Sequence, residues 1–310
     1  MRKNPAIPTC FNFKEGHEYY PRLLREYVDW GVSTFFFSAD DVAAAAIFND
    51  TERIPFMKNL CKELHISFPG MHAPYGREYD LNIPPEEDRE RMIQIHIKGL
   101  QCAAEFGCTT YTMHIGAWYS VFKHVPVEES RPRAIQTLER LVPEAEKLGV
   151  IIAVENSFEM PNSAKEVLKI IDPFLPSPAI GVCYDTGHAH IMEPFPGKKM
   201  ENYGEDMAKT TWWGPEGIVL EANALEMLQP HVVTCHIHDN NGYADQHAMP
   251  GYGNLDFHAL MPKLFACPRM LSYQTELCFE WGRNWAGKLP APWGGYSVKE
   301  QVETYRQLGL

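Results

Sequence analysis

The chain has 310 residues, which is twice a typical domain length but within the range of one large α/β domain. Hydrophobic residues make up 45% of the chain and charged residues 22%, so a sizeable core can form without disulfide bonds or a structural metal. The formal net charge of −12 repels polyphosphates and therefore argues against nucleic acid and anionic membranes as partners.

Neither the N-terminal stretch nor the cysteines indicate secretion. The segment MRKNPAIPTC has two basic residues but no apolar run, so a signal peptide is not expected. The longest apolar run, Val42–Phe48, is too short to span a membrane. None of the eight cysteines forms a C-x-x-C pair, which excludes zinc-finger and thioredoxin-like patterns. We expect a soluble, reduced, cytoplasmic protein.

Short β-rich runs alternate with helical stretches along almost the whole chain. The runs are rich in Val, Ile, Phe, Tyr or Thr and are bounded by turn residues, which predicts strands. The predicted strands are Pro8–Phe13, Val32–Ser38, His65–His72, Thr109–His114, Val150–Asn156, Ile180–Asp185, Val232–Asp239 and Met270–Phe279.

Amphipathic segments with apolar residues at helical spacing lie between these strands. They are Tyr20–Trp30, Pro85–Phe106, Arg133–Leu148 and Ala164–Ile171. Ser163 and Glu166 have the spacing of a capping box, which predicts a helix start. Gly107 and Gly149 each follow a helix, in the position where glycine commonly ends one.

Eight strands separated by helices predict a parallel sheet, and eight is the number that closes into a (β/α)8 TIM barrel. The alternative is an open, doubly wound sheet. No G-x-G-x-x-G follows the first strand, where the chain reads TCFNFKEG, and this weakens the alternative. We predict one α/β barrel domain over residues 1–310.

Two segments are long for connections in such a barrel: an extended loop after the sixth strand, Met192–Gln229, and a Trp-rich loop after the eighth strand, Trp281–Tyr296. Both follow the carboxyl end of a strand, where long loops usually shape an active site. The alternative role is a contact between copies of the chain in a homo-oligomer.

Ionisable residues occur at the carboxyl ends of six consecutive predicted strands. From the third strand to the eighth they are His72, His114, Glu155, Asp185, His236 with His238, and Glu276. Taken alone, a histidine at a strand end is more often a hydrogen-bonded or exposed residue than a ligand. In a barrel, however, these ends converge on one mouth, and buried carboxylates and imidazoles there need a cation among them. The pattern therefore predicts a divalent metal site.

The number of metals is left open by the sequence. His236 and His238 are two residues apart, so both can point inwards although only one need be a ligand. A second group could hold further ions, with Glu155 or Glu276 as a bridge, or could hydrogen-bond a substrate instead: His72, His114, His188, Asp245 and His247. We expect one ion of Mn²⁺, Zn²⁺, Co²⁺ or Mg²⁺, and at most three.

These motifs in this order resemble the xylose-isomerase-like TIM-barrel superfamily, over nearly the whole chain. The motifs are His72-Ala-Pro-Tyr-Gly, His114-Ile-Gly, Val-Glu155-Asn, Asp185-Thr-Gly-His188, His236-Ile-His-Asp239 and Glu276. The resemblance implies four metal ligands, which are Glu155, Asp185, His236 and Glu276. It also implies that Glu155 and Glu276 exchange protons with the substrate and that His188 contacts a sugar.

The superfamily also contains the endonuclease IV type of apurinic endonucleases, which hold three zinc ions. The resemblance implies that the additional ligands of that branch correspond to His72, His114, His188, Asp245 and His247. Ligand identity alone therefore does not separate the branches. A duplex binder should present a basic stripe, and no Lys/Arg cluster occurs in this acidic chain.

The leading hypothesis is a metal-dependent isomerase or epimerase of a sugar or sugar phosphate, which transfers a proton alpha to a carbonyl through an enediolate. Residues on the loops could contact the substrate, and the candidates are Trp118, Trp213, Arg283 and Trp285. The alternatives are an apurinic endonuclease, an inosose-type polyol dehydratase, and a barrel that binds a sugar or a partner without catalysis. Glu155, Asp185 and Glu276 are all present, so the sequence gives no sign of lost catalysis.

Overall fold

Eight parallel strands form a closed barrel in the order of the sequence. The computed structural model describes residues 3–10, 19–38, 52–85, 88–204, 207, 213, 217–276 and 296–310. The strands are β1 (Pro5–Cys10), β2 (Thr34–Ser38), β3 (Ser67–His72), β4 (Thr110–Met113), β5 (Ile151–Glu155), β6 (Ile180–Asp185), β7 (Val232–Ile237) and β8 (Ser272–Thr275). Because β1 pairs with both β2 and β8, the ring is closed and the open-sheet alternative is excluded.

The described part of the chain contains ten α-helices, which lie between and after the strands. They are α1 (Tyr19–Asp29), α2 (Arg53–Leu64), α3 (Arg89–Phe106), α4 (Trp118–Lys123), α5 (Val127–Leu148), α6 (Ala164–Ile171), α7 (Thr186–Met192), α8 (Ala224–Leu228), α9 (Phe257–Phe265) and α10 (Val298–Gln307). This is the TIM-barrel architecture that the alternating pattern predicts.

The strands separate an apolar outer layer from a polar interior, as β4 illustrates. Tyr111 and Met113 belong to the large apolar core, together with Leu138 of α5. Thr110 and Thr112 are equally buried but lie outside that core. Since successive side chains of a strand point to opposite faces, the two threonines point into the barrel. The interior beneath the mouth is therefore lined in part by polar side chains.

Within the described residues the bounds of the predicted elements agree with the observed ones to within a few residues, with one larger difference at α5. The predicted ends of the first and eighth strands, residues 11–13 and 277–279, lie outside the described residues. Helix α5 was predicted from Arg133, after Pro132, but it begins at Val127 and contains Pro132. Pro132 is the sixth residue of α5 and removes one backbone hydrogen bond, and Pro143 removes another further along, so the 22-residue helix accommodates two prolines. Gly107 and Gly149 end α3 and α5 in the left-handed conformation, as predicted.

The predicted capping box at the start of α6 is wrong in its contacts, although the helix does start there. Ser163 makes no side-chain capping hydrogen bond. Glu166 instead pairs with Arg131, whose Nε lies 2.6 Å from Oε2. The backbone N–H groups of Ala164 and Lys165 donate to the two carboxylate oxygens of Glu221, at 2.7 and 3.1 Å. A distant carboxylate therefore satisfies the donors that the local motif was expected to satisfy.

The connection from β6 to β7 is long, as predicted, and its described residues include α7 and α8. The Trp-rich loop predicted at Trp281–Tyr296 lies outside the described residues except for Tyr296. None of the helices in the described ranges combines the length and apolar composition that crossing a bilayer requires.

Candidate metal centre

The ionisable side chains predicted at the strand ends do lie together, at the carboxyl end of the barrel. The inner cluster, as we name it, consists of Glu155, Asp185, His236, His238 and Glu276. The outer cluster consists of His188, Asp245 and His247. Four overlapping sets drawn from these residues and His72 have possible ligand atoms within 4.8 Å of one another.

Two imidazoles lie at the centre of the inner cluster. His236 is on β7 and His238 is the residue that follows the strand. Nδ1 of His236 lies 2.9 Å from Oε1 of Glu276 and 3.2 Å from Oε1 of Glu155. Nε2 of His238 lies 3.0 Å from Oδ2 of Asp185 and 3.8 Å from Oε2 of Glu276. Both histidines are fully buried, so the structure places both in the site and does not separate the predicted ligand His236 from its neighbour.

Glu155 is the residue that connects the parts of the site. Its Oε2 lies 3.2 Å from Nε2 of His114 and 3.4 Å from Nε2 of His72. Its Oε1 lies 3.4 Å from Nδ1 of His188 as well as close to His236. Because Glu155 faces imidazoles from four elements, its carboxylate could bridge two cations.

The outer cluster is supplied by the first turn of α7 and by the loop after β7. Oδ2 of Asp245 lies 3.1 Å from Nε2 of His247 and 3.6 Å from Nε2 of His188. The ring of His247 stacks on His238 with a centroid distance of 4.0 Å, and its Nδ1 lies 3.3 Å from Oε2 of Glu276. The two clusters are therefore in direct contact.

Asp239 belongs to the motif that opens with His236, but it is in none of the candidate metal-ligand groups found among the described residues. It accepts hydrogen bonds from the backbone N–H groups of four residues in the loop after β7: Asn240, Gly251, Gly253 and Leu255. Sequence reasoning missed this role. The spacing of Asp239 to Gly251 and Gly253 is the available signal, since glycine lets a backbone approach a carboxylate closely.

Asp185 and Asn156 fix the start of α7, which carries His188. The backbone N–H of His188 donates to Oδ1 of Asp185 at 2.6 Å, an N-cap contact. Asn156 makes a pair of hydrogen bonds to the backbone N–H and C=O of Asp185, at 3.0 and 3.1 Å. These contacts fix the position of His188, in the outer cluster, relative to Asp185, in the inner cluster.

Several histidines of the site have a raised pKa in the absence of metal. Burial lowers the pKa of His247, but the adjacent Asp245 carboxylate outweighs burial and raises it to about 9. Burial is likewise outweighed at His188, where Asp185 and Asp245 raise the pKa well above the usual range. At His236 the same holds, with Cys183 as the largest cause that raises the pKa, followed by Glu155 and Glu276. These imidazoles therefore hold protons at neutral pH where a metal would otherwise bind.

The carboxylates show the matching effect. Burial alone would raise the pKa of Glu155 and of Glu276, but His236 beside them more than compensates, and both pKa values are lowered. The pKa of Asp245 is lowered in the same way by His247 and His188, against the effect of burial. The site thus presents ionised carboxylates at neutral pH, as cation binding requires.

The donor set fits a divalent metal. Among the described residues, Oδ1 of Asp245 is buried and accepts no hydrogen bond, and Oε2 of Glu155 has only the imidazoles of His114 and His72 near it. A buried ionised oxygen without a hydrogen bond is costly, and a bound cation would satisfy it. Imidazole and carboxylate ligands suit Zn²⁺, Mn²⁺ and Co²⁺, and carboxylates also suit Mg²⁺.

The predicted substrate-loop residues are only partly placed. Trp118 begins α4, where its backbone N–H donates to Asp80 and its ring lies 4.4 Å from that of Phe122. Nε1 of Trp213 donates to the carbonyl of Phe158, and Phe158 contacts the ring of His188 at 5.3 Å. Arg283 and Trp285 lie outside the described residues.

One aromatic residue at the mouth was not singled out from the sequence. Tyr75, which is 39% exposed, stacks on His114 with a centroid distance of 5.0 Å and an angle of 19°. Its position in the His72-Ala-Pro-Tyr segment was the available signal.

Two curated relatives share moderate identity with this chain. An uncharacterized protein of Methanocaldococcus jannaschii is 27% identical over 203 residues, which cover 63% of this chain and 59% of that protein. The match thus spans less than two thirds of the relative. A protein of Mycoplasmoides gallisepticum named "Probable endonuclease 4" is 22% identical over 317 residues, covering 96% of this chain and 90% of the relative.

Solved structures of similar shape include sugar epimerases. A D-tagatose 3-epimerase-like protein superposes with a TM-score of 0.67 at 16% identity, covering 98% of this chain and 96% of that one. The 3-keto-D-glucoside 4-epimerase of E. coli superposes with a TM-score of 0.64 at 17% identity, covering 98% and 99%. At such identities the likeness establishes the fold alone.

The family assignment agrees with the fold and with the order of the site residues. A family model described as "Xylose isomerase-like TIM barrel" matches residues 24–286, which include the whole of both clusters. The chain therefore belongs to the xylose isomerase-like TIM barrel family.

Proposed function

We propose that this chain is a divalent-metal-dependent epimerase or isomerase of a sugar or sugar phosphate, which moves a proton alpha to a carbonyl. The observation that carries the proposal is the pair of carboxylates beside one imidazole nitrogen. Oε1 of Glu276 and Oε1 of Glu155 lie 2.9 and 3.2 Å from Nδ1 of His236. Proton removal and return need two such groups held close to one substrate.

Glu155, Asp185, His236 and Glu276 are the residues that would hold the metal. A divalent ion there supplies a Lewis acid that polarises a carbonyl and an adjacent hydroxyl oxygen. The site is nearly dry, since Glu155 is 1% exposed and Asp185 and His236 are fully buried. Exclusion of water strengthens every electrostatic interaction in it and protects an enediolate from side reactions.

Glu155 and Glu276 divide the proton transfer in this mechanism. One carboxylate takes the proton from the carbon alpha to the carbonyl and leaves an enediolate. The other is ionised in the resting site, so it takes a proton from a neighbouring imidazolium, such as His247 at 3.3 Å from Glu276, before it donates one to the opposite face or to the neighbouring carbon. Glu276 is the more accessible of the two, with 12% of its side chain exposed against 1% for Glu155. His114 and His188, which both face Glu155, hold substrate hydroxyls.

Four further residues are proposed to contact the substrate from the loops: Trp118, Trp213, Arg283 and Trp285. Aromatic rings stack on the apolar face of a sugar, and a guanidinium would select a phosphorylated one. The sugar epimerases among the similar structures support this class of substrate.

The test is proton exchange at substrate carbon in D₂O, followed by NMR on a panel of ketoses, aldoses and their phosphates, with protein loaded with Mn²⁺, Co²⁺, Zn²⁺ or Mg²⁺. We expect deuterium at the carbon alpha to the carbonyl, together with the epimer or isomer. Glu105→Gln, at an exposed carboxylate on α3, is the matched control for Glu155→Gln and Glu276→Gln. Loss of water from a polyol without an epimer would instead identify a dehydratase, and no exchange with any metal would refute the proposal.

A second candidate, the apurinic endonuclease, is supported by the outer cluster. A three-metal site needs two groups of ligands beyond the inner cluster. One group is His188, Asp245 and His247, and the other is His72 with His114 beside Glu155. The relative named "Probable endonuclease 4" also favours it. The net charge of −12 opposes it. Incision of a duplex containing one abasic site, by protein loaded with Zn²⁺, separates the two candidates.

A further inference from the structure

A glutamine lies directly beneath the inner cluster. Gln274 is on β8, two residues before Glu276, and is fully buried. Its Oε1 lies 3.2 Å from Nε2 of His236, the nitrogen on the far side of the ring from the carboxylates. Its Nε2 lies 3.2 Å from Oγ of Ser272 and 3.3 Å from Oγ1 of Thr110 across the barrel.

A chain of hydroxyl groups determines which way round this amide lies. Oγ1 of Thr234 donates its single proton to the backbone carbonyl of Ser272, because a carbonyl can only accept. The contact of 2.9 Å between Oγ1 of Thr234 and Oγ of Ser272 must therefore use the proton of Ser272. Oγ of Ser272 is then an acceptor toward Gln274, so the atom that faces it is the amide NH₂.

The orientation of the amide determines the proton on His236. With its NH₂ directed to Ser272, Gln274 presents its carbonyl Oε1 to Nε2 of His236. A carbonyl oxygen requires a donor, so Nε2 of His236 carries a hydrogen. In the neutral ring the other nitrogen, Nδ1, then has a free lone pair, and it faces the carboxylates of Glu155 and Glu276.

Two further contacts fix this arrangement in space. The ring of Phe36 stacks on His236 with a centroid distance of 5.6 Å and an angle of 17°. On the opposite side of the barrel, any side chain at Gly70 would collide with the amide of Gln274, so the glycine leaves the room that Gln274 occupies. The tilt of the imidazole and the place of the amide are therefore both set by packing.

We infer that Gln274 is a positioning residue that holds His236 in the tautomer and orientation that offers Nδ1 to the metal. The inference rests on the proposed metal centre and not on the sugar chemistry. Partners that hydrogen-bond the second nitrogen of a metal-binding histidine commonly change metal affinity by about 10- to 100-fold when removed.

The test is Zn²⁺ affinity, measured by competition with a chelator on the metal-free protein. Gln274→Met keeps the length of the side chain but removes the acceptor, and we expect the Kd of the ion at His236 to rise by about 10- to 100-fold. Gln274→Glu restores an acceptor for Nε2–H and should return the Kd to within a few-fold of the wild type. Gln274→Asn keeps an amide, but its side chain is one methylene too short to place the oxygen at Nε2 of His236. It replaces Gln274→Met, with the same expected rise in Kd, if the Met variant does not fold.

Gln301→Met is the matched control, since Gln301 is also fully buried but lies on α10, where it accepts a hydrogen bond from Tyr27. It should lower stability and leave the Kd unchanged. The second readout is ¹⁵N NMR of histidine-labelled, Zn²⁺-loaded protein, in which we expect Nε2 of His236 to carry the proton. Unchanged Zn²⁺ affinity in Gln274→Met, an equal loss in Gln301→Met, or a proton on Nδ1 would each overturn the inference. None of these results depends on sugar turnover, so the proposed reaction can fail while this inference stands.

Discussion

The carboxylate of Asp239 accepts the backbone N–H of Gly253 at 2.9 Å, at the base of the loop that carries Asp245 and His247. A side chain at Gly253 would collide with that carboxylate. The same loop is tied back by an antiparallel bridge between Asp239 and Ala248. Asp239, which follows β7, thus fixes the loop that carries two of the three residues of the outer cluster, Asp245 and His247.

Asp239→Asn should loosen this loop and weaken the outer cluster selectively. An amide can accept only through its single oxygen, so two of the four backbone N–H groups lose their partner. This loss should lower the free energy of unfolding by about 1–3 kcal/mol. We expect the ion held by His188, Asp245 and His247 to bind about 10- to 100-fold more weakly. Elemental analysis and metal titration should show the ion of the inner cluster retained.

Asp256→Asn provides the comparison for that variant. Asp256 also accepts a backbone N–H, from Ala259 at the start of α9, but it lies outside the loop that carries the ligands. Asp256→Asn should leave stability and metal content nearly unchanged, because an amide oxygen still accepts that single N–H. Equal loss of both ions in Asp239→Asn would contradict a selective role for Asp239.

The composition of the site was predictable from the sequence because a barrel brings strand ends together. His72, Glu155 and Asp185 each end an apolar run, and that position in the pattern was sufficient to place them at one mouth. Gln274 was not predictable in this way. Its partner Thr110 is 164 residues away on the opposite side of the barrel, and no local pattern encodes such a contact.

The start of α6 allows the local and the distant capping interactions to be compared. Ser163→Ala should change the free energy of unfolding by little, since Ser163 makes no capping hydrogen bond. Glu221→Ala should cost about 1–2 kcal/mol, because it removes a buried carboxylate that accepts two N–H groups at a helix N-terminus. Urea unfolding of the two variants measures the difference. A larger loss in Ser163→Ala would restore the capping box that the sequence predicts.

The same contrast explains which features of the fold were visible in the sequence. Ala164–Ile171 was predicted with its observed bounds, because the apolar spacing of a helix and its starting residue are local signals. The group that satisfies the start of that helix is Glu221, which lies 57 residues further along. Local sequence thus specified the element, and tertiary structure specified its contacts.

The metal-free protein should lose stability as the pH rises from 6.5 to 8. His247 keeps its proton in the folded state up to a pKa of about 9, against an ordinary value of 6.5. Its contribution to stability is complete below pH 6.5 and is lost as the pH rises through the folded pKa. The reason is that the unfolded chain releases this proton at a lower pH than the folded chain does. His188 and His236, whose pKa values are also raised, act in the same direction. His247 contributes about 1–2 kcal/mol over this range.

Guanidinium unfolding in the presence of EDTA, at several pH values, measures this dependence. The range stops at pH 8 because burial lowers the pKa of Lys198 to about 8, and its deprotonation has the opposite effect on stability above that. Saturating Zn²⁺ should reverse the slope, since bound metal displaces the protons. His96→Gln is the control: burial lowers the pKa of His96 to about 4, so its loss should shift the whole curve without changing the slope. A flat profile in EDTA would show that these imidazoles are neutral.

Glu155→Gln and Glu276→Gln should separate metal binding from proton transfer. Glu155 faces four imidazoles, and its replacement by Gln removes the anion that both groups of ligands share. Metal binding should therefore weaken at more than one ion. The four are His72, His114, His188 and His236.

Glu276 lies at the exposed edge of the inner cluster, between His236 and His247. The Glu276→Gln protein should still fold and bind at least one ion. Its rate of proton exchange on the substrate should fall by roughly 100- to 10,000-fold, which is the contribution of a general acid or base. Metal content and deuterium exchange measured on the same samples give both quantities. Full exchange activity in Glu276→Gln would exclude this carboxylate from the proton transfer and leave Glu155 as the base.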